Sequence, residues 1–459
     1  MNSSNRSSAF DYAIFALIVV VLILTNLYQV SISDTKGVSI KNIGLYIVLL
    51  ALLGRYFGNI KALRAVPAVN LLVAILVLAA FSLLYAPLLA NGALIDRLQT
   101  MAKYKNELVY PFLMYLFGFM LISSRLVGRK LIAAYATVFS SLNILALSVF
   151  VTGIDPFSIN VLSHEGTRFA SFGGISNQGA YAVIFLIPIC FYLFETSASR
   201  AAKVLFLSFI IINILSIGFT GSRGGMLLLV LVLGGLAFAT NRVRLFLLLF
   251  TISAIGLVGY ATLFDSEFLT RALGRLELLS GDQKLTEFQA SRDYTVLDQI
   301  SAGRTYIWKS ALETLLNDPV SIIMGKGWGT FKMHMAHTIG IPAAAHNMVL
   351  KFWLELGVAG AFLLIMSGYR YYEFIKSIAG RNELFSRCLL ACFAVVVWTF
   401  MLSTPIELYA IWSLGVGLLT GYALQVEKGG HKEDDGLEEH SKYINSTKRR
   451  ILQRANRSF

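Results

Sequence analysis

Twelve nearly uninterrupted apolar stretches constrain this chain more than any other feature of its sequence. The hydrocarbon core of a bilayer is about 30 Å thick, so an α-helix needs roughly 20 apolar residues to cross it. Only 14% of the residues are charged and the mean hydropathy is +0.68, far from the composition of soluble proteins. These features predict an all-α fold, that of a polytopic integral membrane protein with about 12 transmembrane helices. The predicted spans are residues 11–30, 39–57, 66–88, 108–124, 130–152, 178–197, 203–219, 224–240, 244–264, 347–371, 385–403 and 405–425.

The distribution of lysine and arginine among the short loops predicts the orientation of these spans. Loops that follow the even-numbered spans hold fourteen basic residues, and the short loops on the opposite side hold seven. Because positively charged loops stay in the cytoplasm, both termini are predicted to be cytoplasmic. The formal net charge of +13 would suggest nucleic-acid binding in a soluble chain, but here its placement follows the membrane topology, and no nucleic acid partner is predicted.

One long connection breaks the pattern of short loops. Residues 265–346 form a segment of 82 residues between spans 9 and 10, and its apolar positions recur with helical spacing. We predict a large helical loop there, with two or more helices that cover the outer face. The predicted regions are residues 1–160 with spans 1–5, 161–264 with spans 6–9, 265–346 as the outer loop, 347–425 with spans 10–12, and 426–459 as a disordered, basic cytoplasmic tail.

Two arginines are candidates for binding an anion on the outer face. Arg223 stands in the short turn GSRGG at the start of span 8, where glycines leave access and the helix N-terminus adds positive potential. The alternative is an ordinary arginine at the membrane interface. Arg304 opens a predicted helix with Ser301 as its N-cap, and a cation at that position opposes the helix dipole unless an anion compensates. A salt bridge to Asp298 or Asp318 is the alternative.

His346 is the candidate general base. Histidine can accept a proton near neutral pH, and this residue stands where the outer loop enters span 10. The alternative is a histidine with a structural role only. Arg168, in the loop before span 6, is a weaker candidate for anion binding, because Glu165 and His164 stand nearby as local partners.

Two further patterns favour structural roles, and a third leaves a structural and a functional role open. His334 and His337 have helical spacing, but no cysteine or HExxH pattern accompanies them, so no metal site is predicted. The sequence GKGWGTF lacks a Lys-Ser/Thr pair and a preceding strand, so it predicts a glycine turn that lets backbone approach the membrane. Glu355, within span 10, is either functional or paired with Lys351.

The outer-face arginines and histidine suit a substrate with a pyrophosphate head and a lipid tail. Arginine binds phosphate oxygens bidentately and keeps its charge at all pH values. If the lipid carries a sugar, an acceptor hydroxyl can attack the anomeric carbon while the arginines stabilise the departing pyrophosphate and histidine takes the proton. This reaction requires no metal or other cofactor, and a single displacement inverts the configuration at the anomeric carbon.

Four motifs, in this order, resemble the O-antigen ligase and polymerase superfamily. They are GSRGG (221–225), RTYIW (304–308), DPVSIIMGKGWGTF (318–331) and HNMVLKFWLELGVAG (346–360), and the resemblance covers roughly residues 165–425. It implies a glycosyltransferase of the bacterial inner membrane that uses an undecaprenyl-pyrophosphate-linked glycan on the periplasmic face. It also implies that Arg223 and Arg304 contact the diphosphate, that His346 is catalytic, and that Arg168 holds the place of a further, variable basic residue.

The resemblance leaves two activities open. A ligase transfers the finished polysaccharide to lipid A core and is the first expectation, whereas a polymerase joins repeat units of O-antigen or exopolysaccharide. A transporter or flippase with twelve spans is the rival from another class. It is disfavoured because the chain lacks half-to-half similarity and carries its polar residues on the outer face. The predicted partners are the lipid-linked donor, a lipid A core or glycan acceptor, and membrane lipid.

Overall fold

The computed structural model describes residues 12–23, 40–56, 67–88, 97–123, 128–155, 169–171, 176–263, 303–340, 342–402 and 409–429. All regular elements in these ranges are helical, which confirms the all-α prediction for the described part of the chain. The α-helices are α1 (Tyr12–Ile23), α2 (Ile40–Ala51), α3 (Val69–Tyr85), α4 (Arg97–Tyr104), α5 (Tyr110–Ser123), α6 (Gly128–Thr152), α7 (Ser176–Thr196), α8 (Arg200–Thr220), α9 (Arg223–Thr240), α10 (Val243–Leu263), α11 (Arg304–Leu316), α12 (Pro319–Met324), α13 (Phe331–Ile339), α14 (Met348–Ala379), α15 (Glu383–Leu402) and α16 (Tyr409–Gly429). Short π-helical segments, Leu52–Tyr56 and Lys105–Val109, follow α2 and α4.

Each predicted span overlaps one of these helices. Six of the described helices, α6, α7, α8, α9, α14 and α15, are long and apolar enough to cross a membrane. Shorter apolar helices lie in α1, α2, α3, α10 and α16. The chain is therefore a multi-pass membrane protein, and the total of twelve spans stays a prediction.

Helix α7 is the centre of the helix bundle. All residues from 178 to 193 are buried, and α7 packs against α6, α8, α9 and α15. Beside it, the Asn143 side chain of α6 donates to Asn213 Oδ1 and Ser216 Oγ of α8, at 3.0 and 2.8 Å. Because the hydrocarbon region offers no water, such bonds between polar side chains help to hold neighbouring helices together.

Helices α5 and α16 approach each other closely through glycines. A Cβ atom at Gly118 would lie 2.5 Å from the Leu414 carbonyl oxygen, and one at Gly417 would overlap the Tyr115 carbonyl oxygen. Small residues at such positions let two backbones come together and gain packing energy, which is a common basis of helix association in membranes.

Helices α11, α12 and α13 form a layer on the N-terminal end of α14, the end that the sequence predicts to face outward, and we call it the outer layer. Ala311 and Leu315 of α11 share a buried cluster with Phe331 and Met335 of α13 and with Leu354 of α14. This layer confirms the prediction of two or more helices in the large loop for its described part. The loop residues before 303, and the tail beyond 429, lie outside the described residues.

Helix α14 is interrupted at Gly357, where φ is 71° and ψ is −172°. Residues with a side chain rarely adopt this conformation, whereas glycine adopts it readily. A Cβ atom at this position would also overlap the Ile323 carbonyl oxygen, so the end of α12 lies directly against the interruption. The interruption frees backbone carbonyl groups of the preceding turn to accept hydrogen bonds from outside the helix.

Candidate functional site

Arg223 is the first residue of α9, as the sequence predicted for span 8. Ser222 caps the helix, because its Oγ accepts a hydrogen bond from the Gly225 N–H at 3.0 Å. The Arg223 side chain is exposed. A side chain at Gly224 would collide with the Tyr181 hydroxyl of α7, whose oxygen would lie 2.6 Å from the added Cβ atom. The sequence did not single out Tyr181, which this contact places beside the start of α9.

Arg304 is the first residue of α11 and is half-buried. Its N-cap is Gly303, with φ 79°, instead of the predicted Ser301, which lies outside the described residues. Burial lowers the pKa of the Arg304 guanidinium; Tyr181 opposes this change, and the positive charge of Arg223 adds to it. These interactions place Arg223 and Arg304 within electrostatic range of each other, with Tyr181 close by.

His346 lies in the turn that precedes α14, with φ 49°. Two contacts fix the turn: the Trp308 Nε1–H donates to the Ala345 carbonyl oxygen at 2.7 Å, and the Asn347 side chain caps α14 by accepting from the Leu350 N–H at 3.0 Å. Trp308 follows Arg304 by one helical turn, so both residues of the RTYIW motif face the same region.

The charge environment of His346 links it to Arg304. Burial, together with the positive charges of Arg304 and Lys332, lowers the pKa of His346 to about 4. His346 is therefore a neutral imidazole at pH 7, able to accept a proton. Lys332, an exposed residue of α13, is a further cation that the sequence did not single out. Arg304 thus lies within electrostatic range of both Arg223 and His346, and we call these three residues the arginine–histidine cluster.

Arg304 does not form the salt bridge with Asp318 that was the alternative to anion binding. That carboxylate binds Lys326 Nζ at 2.5 Å and caps α12. Hydrogen bonds from Lys326 and Ser321 hold the pKa of Asp318 well below its usual value. Asp298 lies outside the described residues. Within the part of the chain that the structure describes, neither Arg223 nor Arg304 forms an ion pair with a carboxylate.

Arg168 lies outside the described residues, but the three residues after it are placed. Phe169 packs on Phe150 of α6, with ring centroids 5.3 Å apart, and Phe150 in turn contacts Phe219 near the end of α8. The Ser171 hydroxyl donates to Asn143 Oδ1 at 2.7 Å. These contacts anchor the segment before α7 against α6 and α8. The role of Arg168 stays a prediction.

The sequence GKGWGTF forms the predicted glycine turn, residues 325–330, which we call the glycine segment. The N–H groups of Lys326 and Gly327 donate to the Leu354 and Glu355 carbonyl oxygens at 2.6 and 2.8 Å, which are the carbonyls that the interruption of α14 releases. Backbone therefore approaches the membrane helix closely, as predicted.

Helices α3 and α4 hold the other side of the glycine segment. The Trp328 N–H donates to Ser82 Oγ at 2.9 Å, and Lys103 Nζ donates to the Gly329 carbonyl oxygen at 2.6 Å. The Trp328 side chain is fully buried. The glycine segment is thus a junction that joins the outer layer to α3, α4 and α14.

Glu355 is paired with Lys351. The sequence left open whether Glu355 is functional or has this structural pairing. Lys351 Nζ lies 3.9 Å from Glu355 Oε2 and also forms an ion pair with Glu107, while its ammonium group lies 4.5 Å from the Trp328 ring centroid. All three charged residues are buried. We call Glu107, Lys351 and Glu355 the lysine–glutamate cluster. Glu107 was not singled out by the sequence, since it is far from Lys351 along the chain.

Among the described residues, no group of three or more potential metal ligands comes together. His334 is buried, and burial lowers its pKa to about 4, with added contributions from Lys326 and His337. His337, by contrast, is exposed. The two histidines therefore have different environments, although one helical turn separates them.

One family model matches part of this chain. Residues 206–365 match the family model described as O-Antigen ligase. This segment belongs to the O-antigen ligase superfamily. The O-antigen ligase segment covers about a third of the chain, from α8 into α14, and contains Arg223, Arg304 and His346, whereas Arg168 precedes it. The comparison with curated proteins found no match. Members of the superfamily are membrane glycosyltransferase-like enzymes, so the match supports a function of the O-antigen ligase or polymerase type.

Proposed function

We propose that this protein transfers an undecaprenyl-pyrophosphate-linked polysaccharide to an acceptor hydroxyl on the periplasmic face of the bacterial inner membrane. The observation that carries the proposal is the arginine–histidine cluster, in which Arg304 lies within electrostatic range of both Arg223 and a neutral His346, and neither arginine has a carboxylate partner among the described residues. Two such cations repel each other, so the arrangement is favourable only when an anion joins them.

The donor pyrophosphate is the anion that suits this arrangement. Arg223 and Arg304 would each bind phosphate oxygens through two N–H groups, and the N–H groups at the start of α9 would add their partial positive charge. The Ser222 cap fixes the direction of that helix end. Arg168 is proposed as a third, supporting cation.

The chemical step is a single displacement at the anomeric carbon of the sugar joined to pyrophosphate. The acceptor oxygen forms a bond to this carbon while the bond to the pyrophosphate oxygen breaks, and its electron pair leaves with the pyrophosphate. His346 accepts the proton of the acceptor hydroxyl. The product has the inverted configuration. Arginines stabilise the charge of the leaving group, so the mechanism requires no metal or nucleotide.

Donor binding would also adjust the basicity of His346. In the free protein the cation Arg304 contributes to its low pKa of about 4. A bound pyrophosphate places negative charge beside the same histidine and raises its pKa toward the working pH. The histidine therefore becomes a stronger base only when the donor is in place.

We propose ligation to lipid A core as the specific activity, with polymerisation of O-antigen or exopolysaccharide repeat units as the alternative that uses the same donor site. Deletion of the gene distinguishes the two. A ligase deletion leaves lipid-linked polymer together with bare core, whereas a polymerase deletion leaves cores capped by single repeats or abolishes the exopolysaccharide.

The proposed reaction is tested with purified protein, lipid-linked donor and acceptor in bilayer nanodiscs. We expect transfer without nucleotide and in the presence of EDTA, and a product of inverted anomeric configuration. Loss of transfer with EDTA, restored by a divalent cation, would overturn the metal-independent mechanism. Passage of the intact donor across liposome membranes without transfer would instead favour a flippase.

A further inference from the structure

A long apolar groove runs along the membrane side of α14. It has a volume of about 630 Å³ and is bordered by α3, α5, α14, α15 and α16. Its walls are formed mostly by aliphatic and aromatic side chains, for example Phe352, Leu364 and Phe393. A groove of this chemistry suits a hydrocarbon chain, because contact with apolar walls gains dispersion energy and specific shape complementarity.

The outer end of the groove adjoins the arginine–histidine cluster. Met348 and Val349, which line this end, follow His346 after one intervening residue, the Asn347 cap of α14. Glu107 also borders this end, but its charge is balanced by Lys351. A molecule whose charged head occupies the cluster can therefore place an apolar chain directly into the groove.

The groove is longer than one leaflet of the membrane. Its lining residues on α14 extend from Met348 to Tyr372. Beyond the interruption at Gly357 the lining residues run from Leu364 to Tyr372, and at 1.5 Å per residue Tyr372 lies roughly 22 Å along the helix from Gly357. The acyl chain of a lipid in the outer leaflet reaches only the midplane, about 15 Å deep. A chain that fills the groove must be longer than an ordinary acyl chain.

The groove is open toward the surrounding lipid where α14 and α15 border it. Ile365 and Tyr369 of α14 are 55% and 52% exposed, and Val397 and Met401 of α15 are each 41% exposed. These residues lie on one side of the groove, so a long lipid can enter sideways from the bilayer without a passage through the protein.

We infer that this groove binds the polyprenyl chain of the donor, with the chain running from the arginine–histidine cluster past the membrane midplane. The inference rests on the proposed function, because it takes the headgroup from that proposal. The polyprenyl chain fits the length of the groove better than the acyl chains of an acceptor lipid do, because acyl chains end near the membrane midplane.

At one position in the groove, a larger side chain can fill part of the groove without disturbing the fold. Gly368 lines the inner part, and a Cβ atom there would have only the Phe393 ring nearby, at 3.9 Å. Gly368→Leu would fill the groove with a residue that favours helix more than glycine does. Gly235 of α9 offers a matched control, because it is exposed and a Cβ atom there meets nothing within 4 Å.

The test is photo-crosslinking of the full-length protein in nanodiscs with undecaprenyl pyrophosphate that carries a diazirine in its terminal isoprene unit. We expect labelling of α14 and α15 around Tyr372 and Leu389, at the far end of the groove, competed by unlabelled undecaprenyl pyrophosphate. Gly368→Leu should lower this labelling about tenfold, as expected for expulsion of roughly two methylene groups, and Gly235→Leu should leave it unchanged. Farnesyl pyrophosphate with the same label should react near Phe352 only.

Two other outcomes separate the groove from the proposed function. Equal labelling of the exposed face of α9, unaffected by Gly368→Leu, would show bulk lipid contact only and would overturn the groove while leaving the function standing. Labelling in the groove that undecaprenol competes as well as undecaprenyl pyrophosphate does would support the groove and overturn the pyrophosphate site.

Discussion

Two groups of charged side chains lie near the N-terminal end of α14, and they differ in how their charges are balanced. The arginine–histidine cluster and the lysine–glutamate cluster meet on one short stretch of chain, between His346 and Glu355. In the second cluster, Lys351 is buried between two carboxylates and the Trp328 ring. In the first, Arg223 and Arg304 lack a carboxylate partner among the described residues.

The difference follows from the cost of burying charge. A fully buried charge is tolerated only when it is paired, because desolvation of a single ion costs several kcal/mol. Arg223 is exposed and Arg304 is half-buried, so water can solvate them until a ligand arrives. We interpret the paired cluster as a device that holds the glycine segment and α14 in place, and the unpaired cluster as the part that binds substrate.

If this contrast is correct, removal of an arginine should abolish transfer without harming the fold. We expect Arg223→Ala or Arg304→Ala to lower kcat/KM about 10³-fold or more, because transition-state charge on the pyrophosphate loses its partner. Lysine should rescue poorly at either position, since it cannot bind two oxygens in one plane. Transfer rates in nanodiscs measure the effect. Arg242→Ala, at the other end of α9, is the control and should behave as wild type; equal losses in both would contradict the assignment.

Replacement of the histidine should affect the chemical step and spare donor binding. We expect His346→Ala to lower kcat by about 10²- to 10⁴-fold, because no other group in the cluster can accept the proton at neutral pH. Single-turnover kinetics with saturating donor measure the rate. His337→Ala removes an exposed histidine nearby and should have little effect. A normal rate in His346→Ala would remove the general base from the mechanism.

Substitution in the lysine–glutamate cluster should lower the stability of the protein before it affects transfer. Lys351→Met leaves Glu107 and Glu355 buried without their cation, which should lower the free energy of unfolding by roughly 3–5 kcal/mol. Thermal unfolding in detergent measures the change. Lys309→Met, at an exposed pair with Glu313 4.0 Å away, is the control and should change little. A fully stable Lys351→Met protein with lost activity would contradict the structural role of this cluster.

The turn that carries His346 should be sensitive to a single hydrogen bond. Trp308→Phe removes the N–H donor to the Ala345 carbonyl, and we expect kcat to fall roughly ten- to a hundredfold while the KM for donor changes little. Trp353→Phe removes a comparable bond to the Ile322 carbonyl, at 3.3 Å, outside the turn, and serves as control. Identical effects of the two substitutions would point to loss of packing in general.

The pH dependence should differ between free and donor-bound protein. His346 has a pKa of about 4 in the free protein, so kcat/KM should fall only when the pH drops toward 4 and the imidazole becomes protonated. In the donor complex the pyrophosphate raises this pKa, so kcat should fall at a pH about one unit higher or more. Transfer rates as a function of pH, at low and at saturating donor, measure the acidic falls of kcat/KM and of kcat. If kcat/KM and kcat fall at the same pH, the donor does not approach His346.

The sequence predicted the helices well because the membrane imposes a simple rule. Every backbone polar group in hydrocarbon must be bonded internally, so a long apolar stretch has one stable solution, a helix. It also predicted the start of α9 at Arg223, since glycines and a serine cap mark that point. The interruption at Gly357 was not predicted, because it depends on contact with Ile323 and the glycine segment.

The candidate site was predicted in part. Arg304 and His346 are near each other, but nothing in their local sequences reveals the Trp308 bond that joins α11 to the histidine turn. Pairs between distant parts of the chain could not be anticipated either. Lys351 of α14 and Glu107 of the π-helical segment Lys105–Val109 come together only through tertiary packing, and only the spacing of Lys351 and Glu355 gave a local signal.

The measurement that tests the central claim most directly is lipid binding to the arginine–histidine cluster. Wild-type protein in nanodiscs should bind undecaprenyl pyrophosphate about a hundredfold more tightly than undecaprenol, because two guanidinium groups form charge-assisted bonds to the headgroup. Replacement of Arg223 and Arg304 by alanine should bring the two affinities together. Equal affinity of the wild-type protein for both lipids would contradict the account.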